Sequence, residues 1–249
     1  MIDIITFTLG GRDNYLFKCL DSVYDDIHNQ LIYNEIKVKH HLILQGADIC
    51  NHIMDSLLTY QKSECYELII HKWPENIGIG AGLNKIIPEC DGELIFKMDD
   101  DCKIVSTDFF ENALSLHRKF PNSVFSPFPT GLLRSLGGPQ GLSHQVWHDK
   151  SNNIVWTKRI VNHVGGFARF AHTSVMKNFQ FPNDKITGIS GTEDGNFSSY
   201  CNSNGIELFY LENDLIVSHQ ETCYGQILRY PEYFKDRSWE SSVKLNVVE

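Results

Sequence analysis

The segment LIFKMDDDC, residues 94–102, is the most informative part of the sequence for the architecture. Leu94, Ile95 and Phe96 favour a β-strand, and the apolar run ends abruptly in three consecutive aspartates at 99–101. Such a strand carries these carboxylates from a buried sheet to its carboxyl edge. Three acids at one strand end repel one another, so the cluster costs stability unless a cation neutralises it. A hard divalent metal with oxygen ligands meets that need, although an acidic turn facing water is the alternative interpretation.

The segments before this stretch alternate between strand and helix patterns. Strands are predicted at residues 2–8, 38–44, 65–71 and 94–98, helices at about 14–31, 48–61 and 78–87, a turn at Gly10-Gly11 and a loop at Trp73-Pro74. This order predicts a mostly parallel sheet with both faces covered. Ligands of such sheets bind at the carboxyl ends of the strands, which is where the aspartates lie.

After the aspartates, strands and helices alternate less regularly. The predicted elements are a helix over about 107–119 capped by Ser106 or Thr107, a strand over 123–126, strands within 161–177 and 206–218, and a helix near 193–204. Residues 127–153 contain GGPQG and are rich in Gly, Pro, Ser and Asn, which predicts a mobile loop. The last thirty residues are expected to fold back on the body.

Size and composition limit the class of protein. The chain has 249 residues and a mass of 28.5 kDa, which fits one large α/β domain or two small ones. With no linker or repeat visible, one domain is expected. No apolar run reaches the length of about 18 residues that spans a bilayer. The N-terminus enters a strand pattern without a basic leader, so we expect no signal peptide and a cytoplasmic protein.

Cysteines and charges narrow the choice further. The seven cysteines are odd in number and form no C-x-x-C, which favours reduced thiols. A formal net charge of -9 argues against a nonspecific nucleic-acid binder. Residues 131–180 nevertheless contain six Lys and Arg against one acid, a net charge of +5. This block is either a chance cluster or a surface that meets an anionic acceptor.

Five sequence features stand in a recognisable order. They are IITFTLGGRDNYLFKCLDSV at the N-terminus, ENIGIGAGLNKII, FKMDDDC, GTEDGNFSSYCNSNG and the late histidine of IVSHQE, His219. Together they span about residues 2–220, and their order resembles that of the GT-A nucleotide-sugar glycosyltransferases, in particular the inverting family 2 group. Each feature alone is weak, and the specificity lies in their order and spacing.

The resemblance implies an architecture. It is an α/β, GT-A (Rossmann-like), mostly parallel sheet flanked by helices, with a smaller acceptor-side sheet. Residues 1–249 would form a single domain. Its nucleotide-sugar-binding half would be about 1–104 and its acceptor-side half about 105–220, followed by a C-terminal extension at 221–249.

The resemblance also implies a metal centre for a divalent ion, Mn²⁺ or Mg²⁺, that bridges the oxygens of a donor diphosphate. Asp101 would be the direct ligand, Asp99 would act through water or the ribose, and His219 would complete the ligand set. A half-buried structural histidine is the alternative interpretation of His219. Two-residue alternation predicts that Asp100 points away from its neighbours.

Asp194 is the candidate general base, which would accept the proton of an acceptor hydroxyl as that oxygen attacks the anomeric carbon. Backbone N–H groups of the helix that begins around it would keep a carboxylate ionised. The alternative interpretation makes Glu193 and Asp194 ordinary acids of a first helical turn. Glu193 and Arg169 are expected on the acceptor side, where Arg169 could hold a phosphate or form a surface salt bridge.

Donor contacts are expected from the ends of the first strands. The candidates are Thr8, Leu9, Arg12, Gln45, Asn76, Gly80, Asn84, Asp99 and Asp100. Glycine at position 80 would permit close approach of backbone to ligand. Gln45 stands where family members usually have an aspartate that reads the base, and Thr6-Phe7-Thr8 replaces the usual Pro-Thr-Tyr. The donor is therefore left open among UDP-, GDP-, CDP- and dTDP-sugars.

The resemblance predicts a metal-dependent inverting glycosyltransferase that moves a sugar to a hydroxyl of a glycan, a lipid or a protein. A hydroxylated nucleobase in DNA, as in some phage enzymes, is less favoured because the chain is acidic. A nucleotidyltransferase is a second interpretation, although GGRD is slight for its phosphate loop. A non-catalytic sugar-nucleotide-binding module is the third.

Overall fold

The computed structural model describes residues 1–9, 12–30, 36–46, 51–57, 59–60, 63–130, 143–149, 154–183, 192–211 and 215–220. The helices are α1 Asp13–Gln30, α2 Asn51–Leu57, α3 Ile79–Ile86, α4 Phe109–Lys119, α5 Thr173–Lys177 and α6 Thr192–Ser203, with a short 3-10 helix at Ile87–Glu89. The strands are β1 Ile2–Thr8, β2 Val38–Gln45, β3 Tyr66–Trp73, β4 Leu94–Met98, β5 Cys102–Ile104, β6 Ser123–Ser126, β7 Phe128–Thr130, β8 Ser143–Asp149, β9 Ile154–Ile160, β10 Ala168–His172, β11 Glu207–Leu211 and β12 Ile216–His219. None of the helices in these ranges is both long and apolar enough to cross a membrane.

Two sheets organise the chain. The large sheet has nine strands in the order β3-β2-β1-β4-β10-β6-β11-β9-β8, and the small one has three in the order β5-β12-β7. The first four strands of the large sheet run parallel to one another. Beyond β4 the pairing is mixed, because β10 is antiparallel to both of its neighbours. The α/β arrangement with a parallel first half and a second, smaller sheet is therefore confirmed.

The central strands are mostly apolar and buried along their whole length because both faces of the sheet are covered. Every residue of β1 and of β4 is buried. On one face, Leu42 and Leu44 of β2 pack in a cluster with residues of α1 and α2. On the other face, α3 lies so close that a Cβ added to Gly82 would be 2.5 Å from the ring of Phe7. Sheet and helices thus form three layers that fix the carboxyl ends of the strands.

The cysteines agree with the prediction of reduced thiols. The described residues include five of them, Cys19, Cys65, Cys90, Cys102 and Cys201, and all five are free and buried. They behave as small apolar side chains of the core, where burial raises the pKa of the Cys19 and Cys102 thiols well above the usual range.

Several segments differ from the sequence-based prediction. The predicted mobile loop at 127–153 contains β7 and β8, and β9 was not predicted. β8 and β9 pair as antiparallel neighbours at the edge of the large sheet, and such pairing is a property of two segments together. Trp73 ends β3 instead of lying in a loop, because it pairs with Gln45 of β2. The predicted features Gly10-Gly11, GGPQG and 221–249 lie outside the described residues.

The start of α4 shows a cap that the sequence did not reveal. The helix begins at Phe109, and the residue before it, Asp108, has a left-handed backbone (φ 54°) and makes no side-chain cap bond. The carboxylate of Asp26 on α1 instead accepts from the N–H groups of Phe109 at 3.1 Å and Phe110 at 3.3 Å. The predicted caps Ser106 and Thr107 are therefore wrong, and Ser106 Oγ accepts from the N–H of Ile216.

Asp26→Ala should lower the free energy of unfolding by about 1–3 kcal/mol, because it leaves two buried helix N–H groups without their acceptor. Urea unfolding followed by circular dichroism measures the effect. Asp25→Ala is the matched control, since Asp25 is the exposed neighbour on the same helix. Equal stability of the two variants would contradict the capping role of Asp26.

Candidate functional site

The three aspartates after β4 lie in a tight turn. The N–H of Cys102 donates to the carbonyl oxygen of Asp99 at 3.1 Å, so the strand geometry ends at Met98. Asp100 and Asp101 are buried, with 1% and 2% of their surface exposed, whereas the Asp99 side chain is 34% exposed. Two carboxylates therefore lie inside the protein at the carboxyl edge of the sheet, where their charge needs a counter-ion.

Arg12 supplies positive charge to both buried acids. Its Nη1 lies 2.7 Å from Oδ2 of Asp101, and its Nη2 lies 3.2 Å from Oδ1 of Asp100. Burial raises the pKa of Asp100 to about 7, while Arg12 and a hydrogen bond from Thr8 act to lower it. Two residues predicted to bind the donor, Thr8 at the end of β1 and Arg12 just before α1, thus contact the aspartate turn.

The prediction that Asp100 points away from its neighbours is wrong. Alternation of side chains holds within a strand, and β4 ends at Met98. In the turn that follows, Asp100 and Asp101 contact the same guanidinium group. Asp100 is therefore part of the acidic cluster.

His219 lies beside Asp101 because of the small sheet. β12 is antiparallel to β5, which places His219 opposite Cys102. The Nε2 atom of His219 is 3.5 Å from Oδ1 of Asp101, and the N–H of Gln220 donates to the Asp101 carbonyl at 2.7 Å. One ligand atom from each of Asp101, Cys102 and His219 lies within 4.8 Å of the other two. Two of the three residues predicted as metal ligands, Asp101 and His219, are thus adjacent in space, whereas the third, Asp99, pairs with Lys97.

Asp99 has a different partner, which sequence reasoning missed. Its Oδ1 forms an ion pair with Nζ of Lys97, and the same Nζ donates to the carbonyl oxygen of Gly166. Lys97 is 1% exposed in the middle of the large sheet. Burial acts to lower the pKa of Lys97, but Asp99 and Asp194 outweigh it and raise the pKa. The signal in the sequence was a lysine between Phe96 and Met98 in an otherwise apolar strand.

Asp194 is held by two donors. Its Oδ1 accepts from Nη1 of Arg169 at 2.9 Å, and its Oδ2 accepts from the N–H of Gly166 at 2.7 Å. A Cβ at position 166 would lie 2.1 Å from Oδ1 of Asp194, so only glycine allows this approach. The Asp194 side chain keeps 17% of its surface exposed. One carboxylate is thus fixed in orientation while part of it still meets solvent.

Arg169 lies beneath Asp194. Its side chain is fully buried, and its guanidinium centre is 4.7 Å from the ring centroid of Phe197 and 5.7 Å from that of Phe181. The predicted surface salt bridge is therefore wrong in one respect, because the ion pair with Asp194 is buried. An acceptor or a phosphate would meet Asp194 before it met Arg169.

The two parts of the predicted site meet through Lys97. In the pairing of β4 with β10, Lys97 lies opposite Arg169, so both side chains project from the same face of the sheet. Lys97 touches Asp99 and the carbonyl of Gly166, whose N–H holds Asp194. The aspartate turn and the candidate base are therefore joined by hydrogen bonds of Lys97 and of the Gly166 backbone.

Glu193, predicted on the acceptor side, is 4% exposed beside Asp194. Burial, followed by the charge of Asp194, raises the pKa of Glu193 to about 7, while Lys97 and Arg169 act against the shift. The carboxyl group therefore changes its charge near neutral pH.

This pKa gives a prediction for stability. The fold disfavours ionised Glu193, so the wild type should lose stability as the pH rises from about 4.5, its ordinary pKa, to about 7. Glu193→Gln should remove this loss and be more stable than wild type by about 3 kcal/mol at pH 8, but not at pH 4. Thermal unfolding between pH 4 and pH 8 measures the difference in stability, with Glu64→Gln at an exposed position as the control. Parallel pH profiles of wild type and Glu193→Gln would contradict the prediction.

The remaining candidates at the strand ends have mixed surroundings. Leu9 is 37% exposed next to Thr8. Gln45 is buried at the end of β2, and its Oε1 accepts from the N–H of Ile77 at 2.9 Å. The Oδ1 of exposed Asn76 accepts from the N–H of Gly78, also at 2.9 Å. Gln45 and Asn76 thus shape the loop after β3, and their contacts with a nucleotide stay predictions.

Gly80 and Asn84 contact another part of the chain. The side chain of Asn84 donates to the carbonyl of Phe181 at 2.8 Å and accepts from the N–H of Phe181 at 2.9 Å. A Cβ at position 80 would lie 2.2 Å from the carbonyl oxygen of Pro182. Both residues therefore hold residues 181–183 against α3, and the close backbone approach that glycine permits is made by Pro182.

The positive block at 131–180 exposes less positive charge to solvent than its net charge indicates. Lys158 is 3% exposed and pairs with Glu207, and Arg169 pairs with Asp194. Arg134 and Lys150 lie outside the described residues. Within the described part of the block, much of the positive charge is buried and paired.

The comparisons with known proteins rest on structure. No protein-family model matches the sequence, and no curated protein matches it as a relative. Among solved structures, TarS of S. aureus in complex with UDP-GlcNAc is 14% identical, with a TM-score of 0.64 over 90% of this chain and 60% of that chain. GalNAc-T7 with UDP, GalNAc and Mn²⁺ is 10% identical, with a TM-score of 0.63 over 100% and 51%.

The mannosyltransferase PcManGT from Pyrobaculum calidifontis, in complex with GDP-Man and Mn²⁺, is 13% identical, with a TM-score of 0.63 over 94% of this chain and 64% of that chain. The chain thus spans 51–64% of the length of these three proteins. At such identities the likeness concerns the fold. The chain therefore has the GT-A-like fold of nucleotide-sugar glycosyltransferases.

Proposed function

We propose that the protein is a metal-dependent inverting glycosyltransferase that moves a sugar from a nucleotide-diphosphate donor to an acceptor hydroxyl. The observation that carries the proposal is that Asp101 and His219 lie side by side at the aspartate turn. Lys97 and the Gly166 backbone connect this turn to Asp194. The fold supports it, since the similar structures named above were solved with UDP, UDP-GlcNAc or GDP-Man.

The residues at the aspartate turn fit a divalent metal. A buried carboxylate and an imidazole within 4.8 Å of each other form a donor set that suits Mn²⁺, whereas Mg²⁺ prefers oxygen alone. Asp101 and His219 would hold the ion, with Asp100 beside them. Cys102 is a weaker candidate, since burial raises the pKa of its thiol. Two of the similar structures contain Mn²⁺. When bound, the metal would neutralise charge on the donor diphosphate and on the leaving group.

Asp194 is proposed as the general base. Arg169 and the N–H of Gly166 each use one position on its carboxylate, which has about four acceptor positions, so it can still accept the proton of a hydroxyl. These two donors fix its orientation, which a proton acceptor needs. Attack by the deprotonated hydroxyl in a single displacement would invert the anomeric configuration.

A thermal-shift screen tests the donor. UDP-, GDP-, CDP- and dTDP-sugars are compared with Mn²⁺, with Mg²⁺ and with a chelator. One nucleotide should stabilise the protein only with metal, by about 2.7 kcal/mol at a hundredfold excess over its dissociation constant. Asp101→Asn should abolish the shift. Equal shifts with and without metal would contradict metal-dependent binding, and no shift with any nucleotide would contradict the donor class.

The acceptor is proposed to be a hydroxyl of a glycan, a lipid or a protein. A hydroxylated base in DNA is the second candidate, favoured by the positive block and weakened by the burial of Lys158 and Arg169. Transfer to a polyanion should fall steeply with added salt. Transfer that does not change between low and physiological salt would exclude DNA.

A further inference from the structure

A second cluster of metal-ligating side chains lies on the first three strands, away from the aspartate turn. Asp3 lies near the start of β1, His41 within β2, and His71 near the end of the edge strand β3. Glu89 and Cys90 approach them from the 3-10 helix and the residue that follows it. We call His41, His71 and Glu89 the His41 cluster.

The strand register explains why these side chains meet. Asp3 pairs with Lys39, and Ile69 pairs with His41. Asp3, His41 and His71 therefore lie two residues apart from strand to strand, on one face of the sheet. The result is a diagonal row from the buried interior to the sheet edge, in which His41 is 2% exposed and His71 is partly exposed.

Hydrogen bonds in this row determine which ring nitrogen of His41 carries the proton. Oδ2 of Asp3 accepts from the N–H of Gly92 at 2.6 Å, and Oδ1 lies 3.3 Å from Nε2 of His41. A carboxylate only accepts, so Nε2 of His41 carries the proton, and its Nδ1 offers a lone pair. That Nδ1 lies 3.0 Å from Nε2 of His71. Histidine ligands of metals commonly donate their second ring nitrogen to a carboxylate in this way.

The ligand atoms are already close together. One atom from each of His41, His71 and Glu89 lies within 4.8 Å of the other two. Zinc bonds to histidine nitrogen are about 2.0–2.1 Å long, so two such nitrogens on one tetrahedral ion lie a few tenths of an ångström further apart than the 3.0 Å seen here. A small movement of the partly exposed His71 ring provides that space. Its Nε2 proton would then move to Nδ1 through solvent, and the ring would stay neutral.

The chemistry of the side chains also fits a cation. The His71 ring is partly exposed, so it can move to offer a nitrogen to an ion. The acids Asp3 and Glu89 belong to the row, and Lys85, Lys39 and Lys177 are cations close enough to act on its members. Two imidazoles and a carboxylate that leave one position for water are a ligand set that zinc accepts. We propose that the His41 cluster binds Zn²⁺, with Asp3 as the residue that positions His41.

A competing ligand set shares His41. One atom from each of Asp3, His41 and Cys90 also lies within 4.8 Å of the other two, but all three residues are buried. Burial raises the pKa of the Cys90 thiol, and its Sγ donates to the carbonyl of Ile86 at 3.7 Å. A zinc thiolate there would have to lose this proton in the interior, whereas His71 and Glu89 offer their ligand atoms at the surface.

Calorimetric titration with Zn²⁺ tests the proposal. The Asp101→Asn background removes binding at the aspartate turn, so the outcome is independent of the proposed transferase activity. This protein should still bind one equivalent of Zn²⁺. Adding His71→Ala or Glu89→Gln should weaken the affinity at least tenfold. Adding His163→Ala should leave it unchanged, since His163 is exposed and outside the cluster.

Two further measurements guard against misfolding and the competing set. Melting temperatures without metal show whether each variant folds, and Glu89→Gln alters only an exposed side chain. Cys90→Ser should keep the affinity for Zn²⁺, and Co²⁺ bound to the protein should show no thiolate charge-transfer band. Unchanged affinity in both His71→Ala and Glu89→Gln would overturn the site. Loss of binding in Cys90→Ser with retention in His71→Ala would overturn the ligand assignment.

Discussion

Asp101→Asn should lose Mn²⁺-dependent nucleotide binding and sugar transfer by at least about a hundredfold. Loss of a residue that merely orients a metal ligand already costs about tenfold to a hundredfold, and Asp101 is the proposed ligand itself. The amide keeps the shape of the side chain and can still accept from Arg12, so the effect isolates the loss of charge. Titration of the protein with Mn²⁺ in the presence of UDP or GDP measures binding, and release of the nucleotide from the donor measures transfer.

Asp91→Asn is the matched control for this variant. Asp91 is an exposed aspartate that pairs with Lys39 at the surface, so the same chemical change should leave binding and transfer unaltered. Asp101→Asn should also fold, because it removes a negative charge that lies beside Asp100. Wild-type affinity for Mn²⁺ and the nucleotide in Asp101→Asn would remove Asp101 from the metal centre. His219→Ala would then show whether the histidine binds the ion without it.

Much of the fold could be predicted because its central strands obey local rules. β1 and β4 appear at the predicted residues, since parallel strands buried on both faces read as continuous apolar runs. The pairing of β8 with β9 could not be predicted, because an edge hairpin in a segment of loop-like composition depends on its partner strand. The cap of α4 was missed for a similar reason, as Asp26 lies 83 residues before Phe109.

The sequence named most residues of the candidate site but did not reveal which residues they contact. The motifs indicated Asp101, His219 and Asp194, and the small sheet brings His219 to the aspartates, a contact between residues far apart in the chain. The orientation of Asp100 was predicted wrongly, because a strand rule was applied to a turn. Lys97 was overlooked because a lysine within an apolar strand has no motif of its own.

Residues that match a motif can still have another task. Asn84 matches the motif and Gly80 was a candidate for donor contact, yet their contacts in this structure are with Phe181 and Pro182. A motif match gives a residue a place in the fold without saying which neighbour its side chain contacts. Arg169 is a similar case, because its buried guanidinium group forms an ion pair with Asp194.

Asp194→Asn should slow transfer by about 10²–10⁴-fold while leaving Mn²⁺-dependent nucleotide binding close to that of wild type, because an amide cannot take up the proton of the acceptor. Single-turnover transfer measures the first quantity and calorimetry the second. The amide oxygen can replace only one of the two acceptor oxygens, so either Gly166 or Arg169 will face an N–H group. Some loss of stability is therefore expected as well, and a melting curve must accompany the kinetics.

Retained transfer in Asp194→Asn, together with loss in Glu193→Gln, would move the role of base to Glu193. Slow transfer alone could also reflect a distorted site, and Arg169→Met separates the two explanations. This variant keeps the Asp194 carboxylate and its bond to Gly166 but removes the buried cation behind it. If Asp194 is the base, Arg169→Met should keep more transfer than Asp194→Asn, because the proton-accepting carboxylate is still present, whereas an equal loss of transfer in both variants would indicate a purely structural role for the pair.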